Sequence, residues 1–237
     1  MGIDVYVLDF LLERSVAKSR ELGRTLTLGR QGFHVKGDSK AMAAAVLRQY
    51  YPQASYGEID DGGQYADALF RFIGCQSVTS LDMFGHEGSA ISHDLNVPIS
   101  DDREQSFDFV FDGGTIEHVY NVPQAFLNVS RLLSIGGLFI LVGGANNMLG
   151  HGMYQFSPEL LWTTFCSGNG FVVERMTLVD TFGFPSPRDA ESPAAAGRRL
   201  EIGRTANPTY IMMAARKTSD RPRLTGYQSD YAAQWAK

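Results

Sequence analysis

Two hydrophobic periods alternate along this chain. Apolar positions three or four apart recur at Val5, Leu8, Leu12 and Val16, at Met42, Val46 and Tyr50, at Tyr65, Leu69 and Phe72, and at Phe126, Val129 and Leu133. That is the spacing of helices with one buried stripe. Between them stand nearly continuous apolar runs, Phe107 to Phe111 and Leu138 to Val142, which suit strands covered on both faces. Residues 24–35 read as a strand broken at Gly29, and Ser77 to Leu81 as a short strand ending at Asp82. Ala90 to Ser92 begins another that ends near Asp94, and Gly170 to Val179 and Thr209 to Ala215 read as the last two. Helices alternating with such strands predict right-handed parallel crossovers, hence an α/β, Rossmann-like doubly wound sheet with helices on both faces.

Composition narrows the picture. The 237 residues are 44% hydrophobic and 20% charged, which fits one globular domain with a substantial core. A net charge of −5 offers no general attraction to phosphate backbones, so nucleic acid is not an expected partner. Cys75 and Cys166 fall in an apolar helix end and an apolar helix, and are expected to be buried, reduced thiols. No apolar run approaches the roughly 20 residues of a membrane span, and the acid-bearing start lacks a cleavage pattern, so no membrane partner and a cytoplasmic location are expected. No set of His, Cys and carboxylates has metal-site spacing, and neither a P-loop nor a Gly-x-Ser-x-Gly elbow occurs.

The stretch FDFVFDGGTIEHV, residues 107–119, followed by GGLFILVGGANN, residues 136–147, carries most of the functional signal. It resembles the fourth and fifth strands of the class I S-adenosylmethionine-dependent methyltransferases, with Asp112, Glu117, His118, Gly136 and Gly137 in the matching positions. The resemblance covers about residues 24–217. It leaves an N-terminal helix, 1–23, and a tail, 218–237, outside the methyltransferase-like domain. It implies an antiparallel edge strand and S-adenosyl-L-methionine as the cofactor. By similarity Asp82 meets the ribose hydroxyls, which two carboxylate oxygens suit. Asp94 meets the adenine amino group and the backbone of Leu95 the ring, while Asp112 meets the donor's amino group. Gly113 and Gly114 permit close approach of a ligand. Turn or cap roles remain the structural alternatives for Asp82 and Asp94. The first glycine motif departs from the family. LTLGRQGFHV keeps only Gly29 and Gly32, with Thr27 where an acid is usual, and leaves Arg30 or Gln31 to compensate beside Gly29.

The resemblance puts the acceptor pocket next to the loop after strand five. There His151 stands between Gly150 and Gly152, with Tyr154 and Phe156 as substrate-binding candidates, ahead of a helix start at Ser157, Pro158 and Glu159. His151 is the leading proton acceptor and His118 the second. The alternative is that Glu117 meets first-turn amides of the following helix while His118 packs beneath the sheet edge. His86 is expected to shape its loop. The long segment 182–207, with Arg188, Arg198, Arg199 and Arg204, reads as an acceptor-site wall or lid, or else a solvated insertion. Tyr227, Tyr231 and Trp235 are spaced for a short docking helix. The expected activity is methylation of a small molecule, O-methylation ahead of N-methylation, with a sugar, glycan or natural-product acceptor. A methyltransferase-like protein that binds without transferring methyl is the rival. A nicotinamide enzyme is disfavoured because Gly-x-Gly-x-x-Gly is missing. The first helix covers either the sheet or a partner subunit, which leaves a homodimer open.

Overall fold

The computed structural model describes residues 2–85, 89–201, 203 and 205–231. His86, Arg204 and Trp235 lie outside the described residues. The helices are α1 Val5–Ala17, α2 Ser39–Tyr50, α3 Asp67–Phe72, α4 Val122–Leu132, α5 Pro158–Thr164 and α6 Pro193–Ala196. The strands are β1 Gly23–Leu28, β2 Cys75–Asp82, β3 Ile91–Ser92, β4 Phe107–Gly113, β5 Leu133–Asn146, β6 Phe171–Asp180, β7 Arg188–Asp189 and β8 Thr209–Lys217. Among the described residues they form one sheet in the order β3-β2-β1-β4-β5-β8-β6-β7. The first five are parallel, and β8 inserts antiparallel between β5 and β6. The doubly wound sheet with antiparallel strands at one edge is the architecture the sequence leads to.

Alternate strand residues feed two cores, one on each face. Phe109, Phe111, Ile140, Val142, Met212 and Ala214 pack with Leu8, Leu12, Val46 and Leu69 of the first three helices. Leu26, Leu28, Val110, Phe139, Leu141 and Met213 pack with Phe126, Val129 and Leu161 of α4 and α5. α1 starts where Asp4 Oδ1 accepts from Tyr6 N and Val7 N, 2.9 and 3.0 Å away. Its burial exceeds the one stripe expected: Val7, Phe10 and Leu11 are buried too, whereas Val16 is exposed. The helix therefore shares the core of the α/β domain.

Several local readings change. Cys75 opens β2 instead of ending a helix, because Gly74, at φ +97°, turns the chain out of α3; a Cβ there would stand 1.8 Å from the Arg20 carbonyl oxygen. Cys166 follows α5 and is half-buried. Gly136 and Gly137 sit inside a β5 that is longer than the apolar run suggested. The tail is held down: Ser229 donates from its N and Oγ to Glu159 Oε1, 2.8 and 2.6 Å away, while Tyr227 is exposed. At the end of β8 the buried Lys217 donates to the carbonyl oxygens of Ser130 and Leu133, 2.6 and 2.8 Å away, closing the C-terminus of α4 with a cation.

Candidate active site

In open α/β sheets ligands sit beyond the carboxyl ends of the strands where the strand order reverses. Here that point lies between β1 and β4. Leu28 stands opposite Leu81 of β2 and Asp112 of β4, so Gly29, Asp82 and Gly113 share the next level. Gly29 adopts φ +69°, and its N donates to the Leu81 carbonyl oxygen 2.7 Å away. A Cβ there would stand 3.1 Å from Thr115 Oγ1. Thr115 Oγ1 in turn donates to the Leu28 carbonyl oxygen over 2.7 Å, so the turn after β4 is tied across the first glycine turn.

Arg30 turns away from this crevice, towards Asp67 at 3.1 Å and over the Tyr65 ring at 3.8 Å. Gln31 turns into it. Its Nε2 donates to the carbonyl oxygens of Leu28 and Gly29, 2.7 and 3.3 Å away, and its Oε1 lies where a Cβ on Gly113 would approach to 2.2 Å. Gly113 is thus required first by the Gln31 amide. Of the two residues named beside the reduced glycine motif, Gln31 packs against both Gly29 and Gly113.

The two strand-end aspartates both close turns, as their structural alternative had it. Asp82 Oδ1 accepts from Phe84 N at 3.0 Å, and Asp94 Oδ1 accepts from Asn96 N and Nδ2 at 2.9 and 2.7 Å. Those bonds hold the Asp94 carboxyl below the usual carboxylate range. The loop behind it hangs on a residue the sequence reading passed over. The buried Asn128 of α4 donates to the carbonyl oxygens of Leu95 and Val97 at 3.2 and 2.8 Å and accepts from Ile99 N at 3.0 Å and from Gln124 Nε2 at 2.9 Å. A polar residue between Phe126 and Val129, in the apolar stripe of a helix, was the available signal.

Two expected contacts need correcting. Asp112 is fully buried, with Oδ1 accepting from Thr115 N at 2.7 Å and Oδ2 from Ile116 N at 3.3 Å. Its carboxylate therefore shapes the turn and is not presented to a donor's amino group. Burial outweighs those amides and pushes its pKa up to about 6. Phe156 belongs to the core, packed on Phe126 with ring centres 6.1 Å apart, and does not face a substrate. Tyr154 does reach the surface, its hydroxyl donating to the Tyr120 carbonyl oxygen at 2.8 Å.

Glu117 and His118 stand on a single 3-10 turn, Ile116–His118, ahead of α4, and not on the helix as expected. The Glu117 carbonyl oxygen accepts from Met153 N and Tyr154 N, 2.9 and 3.2 Å away, which stitches the loop after β5 onto this turn. That brings His151 Nε2 to 3.1 Å from Glu117 Oε1 and the His151 ring to 5.4 Å from the His118 ring. The carboxyl is completely buried, and neither oxygen has a hydrogen-bond partner among the described residues, the nearest ring nitrogen being His151 Nε2. No first-turn amide serves it. Burial, helped by the Asp112 carboxylate, pushes the Glu117 pKa up to about 8, and burial lowers both His118 and His151, so the two imidazoles are neutral near pH 7. Sequence spacing gave no hint of the trio because β5 lies between its members.

The described arginines of the long segment each pair with a carboxylate. Arg188 meets Asp180 at 3.3 Å, Arg198 meets Glu191 at 2.5 Å and Arg199 meets Asp230 at 2.7 Å.

A crevice at the point where the strand order reverses is where open α/β sheets bind their ligands. Residues 93–141 match the model of the methyltransferase domain family. No curated protein matches the chain. Similar solved structures include the 1,6-didemethyltoxoflavin-N1-methyltransferase of Burkholderia thailandensis with bound 1,6-didemethyltoxoflavin and S-adenosylhomocysteine, at 15% identity and TM-score 0.43 over 89% of this chain and 80% of that one. The N-methyltransferase NodS from Bradyrhizobium japonicum WM9 gives 13% identity and TM-score 0.46 over 89% and 94% of the two chains. The [4+2]-cyclase SpnF gives 13% identity and TM-score 0.45 over 89% and 80%.

Proposed function

We propose that this protein transfers a methyl group from S-adenosylmethionine to a hydroxyl oxygen of a small acceptor with an apolar body. The observation that carries the reading is the adjacency, through Thr115, of two half-sites: the row of Gly29, Asp82 and Gly113, and the turn bearing Glu117 and His118 with His151 above it. The residues present fit the donor. Asp82 suits the ribose hydroxyls, Asp94 and the Leu95 backbone suit the adenine edge, and Gly29 with the Gln31 amide suits the methionyl end. The donor supplies a methyl carbon on a positively charged sulfur, which leaves as a neutral thioether when the C–S bond breaks. The chain's own part is to hold the acceptor oxygen in line and to remove its proton as the O–C bond forms. His151, with a neutral imidazole over the turn, is the proton acceptor of this reading, and His118 stands as its neighbour. Tyr120, Leu149 and Met153, which flank these histidines in the chain, are all large, apolar and exposed, and this favours a natural-product-like scaffold over a sugar.

One observation favours the rival, non-transferring reading: the Gln31 amide already fills the gap between Gly29 and Gly113. Incubation with methyl-labelled S-adenosylmethionine and a panel of phenolic and aliphatic alcohols decides between them. Label recovered as a methyl ether supports transfer; donor binding with no label on any alcohol or amine favours the binding protein.

A further inference from the structure

We propose that Glu117, His118 and His151 hold a divalent transition-metal ion with open coordination positions, and, resting on the methyl-transfer reading, that the acceptor oxygen binds there. One ligand atom from each of the three side chains lies within 4.8 Å of the other two. The tightest pair is His151 Nε2 and Glu117 Oε1, 3.1 Å apart. Bonds of about 2.1 Å to one ion at octahedral or tetrahedral angles place ligand atoms about 3.0 to 3.4 Å apart, which this pair already meets. A modest rotation of the exposed His118 ring brings in the third ligand.

The buried Glu117 carboxylate is an independent observation. Buried polar groups are nearly always satisfied, yet neither oxygen of this carboxyl has a hydrogen-bond partner among the described residues. A dication supplies the missing partner. Gly143 and Gly152 pack against the side chain, where a Cβ would come to 3.2 Å from Oε2 and 3.1 Å from Cγ. Two imidazoles and one carboxylate select Zn²⁺, Co²⁺, Fe²⁺, Ni²⁺ or Mn²⁺ over Mg²⁺ and Ca²⁺, which prefer all-oxygen sets. Three protein ligands are the pattern of a reactive site, because a structural one closes with four. Both histidines are on the solvent side, so the free positions face the acceptor's approach.

An ion there changes the proton's route. The acceptor hydroxyl binds the metal and loses its proton to water, the resulting oxygen lone pair forms the O–C bond, and the C–S pair returns to sulfur; the metal's charge is unchanged. With the ion bound, His118 and His151 are ligands and no longer bases.

The test is titration of EDTA-dialysed protein with Co²⁺, read by visible absorption and by metal content per chain, with S-adenosylhomocysteine binding measured separately by calorimetry. One Co²⁺ per chain, with bands lost in both His118→Ala and His151→Ala, Zn²⁺ displacing it, and affinity reduced at least tenfold in Glu117→Gln, is the expected result. Acetohydroxamate, a small oxygen chelator, is expected to shift the bands. Two results overturn the site: no Co²⁺ or Zn²⁺ uptake beyond that of the folded His118→Ala/His151→Ala double variant, or uptake unaffected by either histidine. Bands indifferent to acetohydroxamate overturn the open position. Metal uptake without S-adenosylhomocysteine binding leaves the site standing and removes the methyl-transfer reading. If Glu117→Gln does not fold, the two histidine variants carry the decision.

Discussion

Thr115 Oγ1 donates to the carbonyl oxygen of Leu28 across 2.7 Å, joining the turn that carries Glu117 and His118 to the last residue of β1. The same hydroxyl limits the space at Gly29, whose backbone must turn through positive φ for the donor row to form. The turns after β1 and β4 are thereby tied by a side-chain bond beyond the ladder that pairs the two strands. Thr115→Val keeps the shape and removes the donor, while the Leu28 oxygen still accepts from Gln31. A loss of about 1 kcal/mol in urea unfolding is expected, with weaker donor binding and lower turnover together. A variant with full stability and full activity would show that the bond positions nothing.

Gly29 itself is the sharper probe of the donor turn. Gly29→Ala places a Cβ at positive φ and against Thr115, a strain of roughly 1 to 3 kcal/mol. The expected outcome is a folded protein, by circular dichroism, with a lower unfolding midpoint and donor affinity reduced several-fold or more.

Asn128 holds the loop after β3 with both of its donor positions and its acceptor oxygen in use. Asn128→Asp replaces two donors by acceptors facing the carbonyl oxygens of Leu95 and Val97. A loss of about 2 to 4 kcal/mol is expected, since buried groups are left unpaired and repelled. Nuclear magnetic resonance shifts should change most in residues 93–99. Asn128→Ala is expected to be less harmful than Asn128→Asp, and the reverse order would contradict the network.

Cys75 supplies a pH prediction. Burial pushes its thiol up to about 12, against an ordinary value near 8.5 in the unfolded chain. Because the folded state retains the proton, the contribution to stability is complete below about pH 8.5 and is lost as pH rises towards 12. Unfolding free energy should therefore fall between about pH 8.5 and 10, before tyrosines titrate, and Cys75→Ala should flatten that slope. In native protein a thiol reagent should modify the half-buried Cys166 well before Cys75.

The sheet was legible in the sequence because buried strands and amphipathic helices carry different periods, and because Ser157 with Pro158 announces α5 with its own capping chemistry. Residues whose role is set by how the chain folds back on them were not. Asp112 reads as a strand-end acid, but whether it faces a ligand or its own turn is fixed by Thr115 and Ile116 folding back on it. Phe156 reads as a loop aromatic, and only the approach of Phe126 makes it core. The reduced glycine motif is visible in the sequence, whereas the Gln31 amide that fills the gap is set by the backbone turn at Gly29. Glu117, His118 and His151 meet because β5 returns its loop to the turn after β4, a contact with no local pattern.

Binding of S-adenosylmethionine at the carboxyl edge between β1 and β4 is measured directly by calorimetric titration of the purified protein with S-adenosylmethionine and S-adenosylhomocysteine, alongside Asp82→Ala. One site per chain is expected, weakened in the variant by roughly 1.5 to 3 kcal/mol, the scale of hydrogen bonds to a charged group, with the fold intact. No binding of either compound to the folded protein, or equal affinity in Asp82→Ala, would contradict it.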